Sequence, residues 1–215
     1  MRRLTAVLLL ALPLAVAHAE KARHPVPPQP AETYPMHQTN KHVTIAAEPG
    51  DSKATRPNTR LDYFGHDLLP IRVIVTNDSN TPVLLDDARI HFISAAEDNI
   101  PAATLDDIQR RMFTLKSATG KKIPLPLGLP IPITTGKSNV DKKITDDDND
   151  FGFQTTTVEP HTTVAGYLYY DISGLDRPAL THATLELRKV RFAGGDYLES
   201  FEIPLHPTDQ PQDSK

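Results

Sequence analysis

The residues best suited to carry chemistry form an acidic run, DDDND, at positions 146 to 150. Calcium is held by several oxygen ligands, and calcium-binding loops present carboxylates at alternate positions. Asp146, Asp148 and Asp150 therefore make a candidate calcium site. The run departs from the EF-hand pattern, because the Gly at the sixth loop position and the Glu at the twelfth are out of register here. The sequence leaves a calcium site and a solvated loop or helix end as open interpretations.

No motif in the chain indicates catalysis. The chain has no cysteine, and its 9 histidines are scattered without an H-x-H or H-x-x-x-H pair that would favour zinc. There is no G-x-S-x-G nucleophile elbow and no glycine-rich phosphate loop. We therefore predict a protein that is not an enzyme and has no cofactor other than calcium at the acidic run.

The charge of the chain argues against nucleic acid as a partner. Lys and Arg number 23 against 27 Asp and Glu, a formal net charge of -4. Binding to a nucleic acid requires a basic face that neutralises phosphates. A partner of another kind is expected.

The start of the chain is typical of a cleavable secretory signal peptide, predicted at residues 1–19. Arg2 and Arg3 precede an apolar run from Leu4 to Val16, and Ala17 and Ala19 provide the small residues that signal peptidase requires. The run is too short to cross a bilayer, and no later segment is apolar enough to span. We expect an exported protein, periplasmic or extracellular, without a transmembrane segment in its mature part.

Composition predicts one folded domain with loose ends. Residues 20–40 hold five prolines and few apolar side chains, which predicts an extended proline-rich linker. Residues 206–215 are polar and predict a disordered tail. The domain is therefore predicted at 41–205, and with no disulfides it must be stabilised by burial.

Within this domain, apolar and polar residues alternate with the period of a β-strand. The predicted strands lie at 42–47, 71–76, 83–87, 88–94, 165–172, 183–188 and 197–205. Segment 165–172 is apolar on both sides, which favours a central strand. In the last segment Tyr197, Phe201, Ile203 and Leu205 are expected to face the core. Short strands separated by turns, without strand and helix alternation, favour two packed antiparallel sheets.

An insertion at 104–153 interrupts the strands with two predicted helices. Thr104 and Asp107 form a capping box, followed by an apolar face of Leu105, Ile108, Met112 and Leu115. A second, weaker box begins at Ser138, with Val140 and Ile144 behind it.

Between these helices lies an apolar, proline-rich arm, residues 121–133. Proline at nearly every second position excludes a helix and removes donors from a sheet, so an extended segment is predicted. The arm could dock on a partner sheet edge or an anionic membrane surface, or it could pack over one end of the domain.

Two segments carry a resemblance to a known kind of domain. LPIRVIVTNDSNTPVLLDDARIHF (69–92) and VEPHTTVAGYLYYDI (158–172) resemble the strand framework of exported bacterial Ig-like sandwich domains. The resemblance implies a mainly β, Ig-like antiparallel β-sandwich with a helical and proline-rich insertion. It also implies an accessory or binding role, although the Cys and Trp of antibody-type cores are absent.

These observations predict a non-catalytic, exported binding module. Its expected partner is an envelope or secreted protein, contacted through the 104–153 insertion or a sheet edge. The alternative is a calcium-dependent structural or adhesion domain that uses Asp146, Asp148 and Asp150.

Overall fold

The computed structural model describes residues 23–119 and 135–205. The predicted signal peptide at 1–19, the proline arm at 121–133 and the tail at 206–215 lie outside the described residues. Within the described ranges the chain forms eleven strands: β1 (His37–Asn40), β2 (Val43–Pro49), β3 (Leu68–Asn77), β4 (Val83–Leu84), β5 (Arg89–Ile93), β6 (Asn99–Pro101), β7 (Thr157–Val158), β8 (Thr162–Asp171), β9 (Thr184–Arg188), β10 (Arg191–Phe192) and β11 (Phe201–Pro204). The same ranges contain two α-helices, α1 (Leu105–Thr119) and α2 (Thr135–Phe151).

The strands form three antiparallel sheets. Their orders are β1-β2-β3-β8, β10-β4-β7 and β11-β9-β5-β6. The two four-stranded sheets face each other across one large apolar core, in which the side chains of Ile71, Val73 and Val75 meet Leu185 and Phe201. The fold is mainly β and consistent with the predicted β-sandwich.

Strand β3 is the most deeply buried element, with all ten of its residues buried. One face of its sheet covers the large core. On the other face, Leu68, Tyr167 and Tyr169 pack against four side chains of the two helices, which are Ile108, Met112, Val140 and Ile144. The helices therefore form a third layer over Leu68 and β8, while Ile74 of β3 packs on the same face against Ala31 and Ala46.

Strand β8 lies at the edge of its sheet, so the prediction of a central strand is wrong. Its free edge is covered by the chain on either side of the insertion: Phe153 N donates to Tyr167 O at 3.1 Å and Ala103 N donates to Tyr169 O at 2.7 Å. A Cβ at Gly166 would lie 2.6 Å from Phe153 N. Glycine is required there because it lets the covering backbone approach the strand closely.

The folded part begins before Lys41, because part of the predicted linker belongs to the sheet. Residues 37–40 form β1, and the turn that follows has positive φ at Lys41 (47°) and His42 (66°), as a tight hairpin turn requires. Ala31 is fully buried, and its N–H donates to Thr76 Oγ1 at 2.8 Å. The composition of this segment does not indicate an ordered structure, because its burial comes from contacts with β3 and not from its own residues.

The helix predictions hold with shifted boundaries. In the predicted capping box, Thr104 Oγ1 donates to Asp107 Oδ2 at 2.6 Å and accepts the Asp107 N–H at 3.2 Å, which confirms the start of α1. Helix α2 begins at Thr135, three residues before the predicted cap at Ser138.

Two residues expected on apolar faces are exposed instead. Leu105 is 39% exposed and Tyr197 is 57% exposed. Leu105 is the first residue of α1, and Tyr197 forms an isolated bridge with Arg191 outside the regular strands. At such positions the period of an element no longer fixes the direction of the side chain.

Candidate functional site

The acidic run lies inside α2, near its C-terminal end. Residues two apart on an α-helix point to different sides, so Asp148 cannot share a cation with Asp146 and Asp150 as it could in a loop. Across the described ranges, no group of three or more His, Cys, Asp or Glu side chains is placed to hold a metal ion. The helix thus separates the three carboxylates that the calcium hypothesis brings together.

Asp147, the residue between the predicted ligands, is the buried member of the run. It is 1% exposed. Its carboxylate accepts the Arg60 N–H at 2.9 and 3.0 Å, Arg60 Nη1 at 2.9 Å and the Tyr63 hydroxyl at 3.0 Å. Both oxygens are therefore bound by donors from the segment that precedes β3.

Arg60 joins two turns of the helix. Its Nη1 also lies 2.7 Å from Asp150 Oδ2, in an ion pair that lacks good hydrogen-bond geometry. The contacts with Asp150 and then Asp147 raise the pKa of Arg60, so the guanidinium stays charged. One largely buried cation thus holds two carboxylates of α2 against the segment that precedes β3.

Two tyrosines complete this cluster of Arg60, Tyr63, Asp147, Asp150 and Tyr169, which we call the insertion anchor. The rings of Tyr63 and Tyr169 lie 4.7 Å apart between centroids. Burial, followed by the charge of Asp147, raises the pKa of both phenols. The chemistry of the anchor is structural, because the donors of the fold itself occupy the carboxylate that would otherwise bind a ligand.

Asp148 points to another neighbour. Gln154 Nε2 donates to its carboxylate at 3.3 Å and to its backbone carbonyl at 2.9 Å, closing the end of the helix. Burial raises the pKa of Asp148. No sequence signal distinguishes Asp147 from Asp148, since the difference depends on which face of α2 meets the sheet.

A second candidate site is a cavity of about 640 Å³ at one end of the sandwich. Its floor belongs to the large core and is formed by side chains that are at most 2% exposed, namely Ala47, Leu69, Ile172 and Leu205. Its walls are also apolar and come from three separate segments; they include Met36, Phe64, Ala179 and Leu180. We call this cavity the end pocket.

Charged groups surround the mouth of the end pocket. Glu48, Asp51 and Arg177 line it. Arg177 forms an ion pair with Asp67, and Glu48 lies 3.7 Å from Arg72. The mouth therefore carries two carboxylates and one guanidinium around an apolar interior.

The sequence contains few signals that predict the end pocket. Met36 belongs to the segment predicted as a linker, and Ala179 and Leu180 belong to a loop after β8. Apolar residues within otherwise polar segments, such as Tyr34 and Met36, are the available signal. They indicate that the segment packs on something, but not where.

The fold and these two sites define a mainly β domain with a helical insertion and an apolar pocket at one end. No known protein family, no curated protein and no solved structure matches this chain. None of the helices in the described ranges is both long and apolar enough to cross a membrane.

Proposed function

We propose that this protein is an exported, non-catalytic binding module whose end pocket holds a small apolar molecule. The signal-like residues 1–19 support export. The single observation that carries the binding role is the end pocket, whose volume of about 640 Å³ falls in the usual range of small-molecule sites.

The lining of the end pocket decides the kind of ligand. A floor of buried aliphatic side chains offers no strong hydrogen-bond partner, so affinity must come from removing apolar surface from water. At the mouth, Arg177 is paired with Asp67 and Glu48 with Arg72, which leaves Asp51 as the charged lining group that has no ion pair within the described ranges. An apolar body with a neutral or cationic head fits this distribution better than one with an anionic head.

Binding should be measured with an uncharged dye that fluoresces in apolar surroundings. Displacement by three amphiphiles with the same alkyl chain, one neutral, one cationic and one anionic, tests the head group at concentrations below micelle formation. We expect the neutral and cationic compounds to compete and the anionic one to compete least. Equal displacement by all three would contradict the role given to the mouth.

A variant that fills the pocket tests its location. Ala179 lies in a loop on the pocket wall and is half-buried, so Ala179→Trp should occupy the space without disturbing a strand. Ala193→Trp, at an exposed turn outside the pocket lining, is the matched control. Loss of dye binding in A179W alone supports the proposal, and equal binding by both variants would refute it.

Export is tested separately. The chain is expressed with residues 1–19 in a bacterial host, and the N-terminus of the protein recovered outside the cytoplasm is sequenced. A mature start at Glu20 is expected. Retention of residues 1–19 on a cytoplasmic product would overturn the export prediction and leave the pocket experiment unaffected.

A further inference from the structure

A third site lies on the outer face of the sheet β11-β9-β5-β6. A depression of about 370 Å³ on the outer face of the sheet β11-β9-β5-β6 is lined by Glu97, Asn99, Thr184, Glu186, Arg188 and Glu202 among others. Its centre is Glu186, a carboxylate that is only 6% exposed although it lies on the outer face of a sheet.

One oxygen of Glu186 is bound and the other is not. Arg188 Nε and Nη2 both contact Oε1, at 2.7 and 2.6 Å. Oε2 is buried and has no hydrogen-bond partner among the described residues. His91, the direct partner of Glu186 on β5, also leaves its buried Nδ1 without a hydrogen bond. A buried charged oxygen without a donor is costly and no described side chain satisfies it, so a donor from outside the chain would stabilise this site.

The neighbouring strand adds a second, independent observation. Glu202 on β11 is the direct cross-strand partner of Glu186 on β9. Like charges directly opposite each other destabilise a sheet. Glu97 adds a third carboxylate to the depression, against the single guanidinium of Arg188. A bound cation would relieve this repulsion.

We infer that this depression binds a primary ammonium group. The open groups are acceptors, namely Glu186 Oε2 with the side chains of Glu97, Glu202 and Asn99, and an ammonium has three donors to offer them. A guanidinium would bind a carboxylate through both oxygens, but Arg188 already occupies Oε1. A metal ion is disfavoured because no metal-binding group of three His, Cys, Asp or Glu exists in the described ranges.

The experiment uses the full exported chain and simple probes. Pentylammonium and pentylguanidinium are titrated while the backbone amide signals of β9 are followed by NMR. We expect the ammonium to bind more tightly than the guanidinium, with the largest shifts at Thr184–Arg188. Equal binding of the two probes, or shifts spread over the whole surface, would overturn the inference.

Two variants test whether the carboxylates of the depression bind the ammonium. Glu186→Gln removes the buried charge, and Glu202→Gln removes an exposed charge while leaving the contact between Glu186 and Arg188 intact. Each should weaken pentylammonium binding about tenfold, the loss expected from one charge-assisted hydrogen bond. The matched control is Glu199→Gln, an exposed carboxylate outside the depression, which should bind as the parent chain does.

If E186Q fails to fold, E202Q decides the question alone; parent-like affinity in E202Q would then overturn the site. The source of the ammonium is distinguished by two further arms. A diamine such as cadaverine represents a free small amine, and a short peptide with one lysine represents a protein side chain. Binding of at least one of them, lost in E202Q, supports the site, and binding of neither overturns it.

Discussion

Replacing Asp147 with asparagine should loosen the helical insertion and lower the stability of the whole domain. Asp147 is 1% exposed, and its two oxygens accept hydrogen bonds from the backbone and side chain of Arg60 and from Tyr63. In D147N the guanidinium of Arg60, 10% exposed, loses one of its two counter-ions and faces an amide instead.

The size of the effect follows from burial. Removing one partner of a buried ion pair costs about 3 to 5 kcal/mol of unfolding free energy. Asp150 remains 2.7 Å from Arg60 and substitutes in part, so the low end, about 3 kcal/mol, is expected. For a domain of this size that corresponds to a fall in Tm of roughly 6 to 12 °C.

The control for D147N is a surface pair of the same kind. Asp106 on α1 lies 3.6 Å from Arg110, but its side chain is 83% exposed. Exposed pairs one helical turn apart contribute about 0.3 to 0.5 kcal/mol, so Asp106→Asn should shift Tm by roughly a degree.

Tm is measured by circular dichroism and local opening by amide hydrogen exchange. Exchange should accelerate in residues 139–151 of α2 more than in β3, because the anchor holds the helix and not the central strand. A D147N variant with the same Tm and exchange as D106N would refute the assignment of the anchor.

Three further predictions follow from other parts of the fold. Gly166→Ala should destabilise the domain by about 2 kcal/mol in denaturant unfolding, because its Cβ would meet the backbone that covers β8; a parent-like midpoint would contradict this. Burial is the main cause of the raised pKa of four tyrosines, whose ordinary value is 10.0: Tyr63, Tyr167, Tyr169 and Tyr170. Their stabilising contribution is complete below pH 10 and is lost as the pH rises above it, so the tyrosinate absorbance of these four of the chain's 6 tyrosines should appear together with loss of circular dichroism and not before it. Added calcium should leave Tm unchanged, because α2 separates the three acidic ligands; a Tm that rises with free calcium would show native-state binding and reverse this conclusion.

The strands could be predicted where the alternation of apolar and polar residues along the chain decides which side chains are buried. Leu185 and Leu187 are fully buried, as the period of β9 indicates, and the Thr104 cap follows from residues three positions apart. The same reasoning misplaced β8, since apolar residues on both of its faces reflect cover by the helices and not a neighbouring strand.

The candidate site could not be predicted, because its partners are distant in sequence. Arg60 and Asp147 are 87 positions apart, and the two acids that flank Asp147 have the same local pattern. The burial of Ala31 likewise depends on Thr76, 45 positions away. Composition reports what a segment could bury by itself, and in both cases a distant strand or helix completes the burial.

The insertion and the end pocket are connected through Asp67, and the strength of this connection limits how far one can affect the other. Asp67 binds Arg177 at the mouth of the pocket and lies 3.3 Å from Nη2 of Arg111 on α1. Both arginines and Asp67 itself are partly exposed, so each pair contributes about 1 kcal/mol or less. The contacts of Asp147 in the insertion anchor contribute about three times as much to the free energy of unfolding. Loosening the insertion by D147N should therefore leave the apolar floor of the pocket in place, since that floor belongs to the sandwich core and not to the layer of helices.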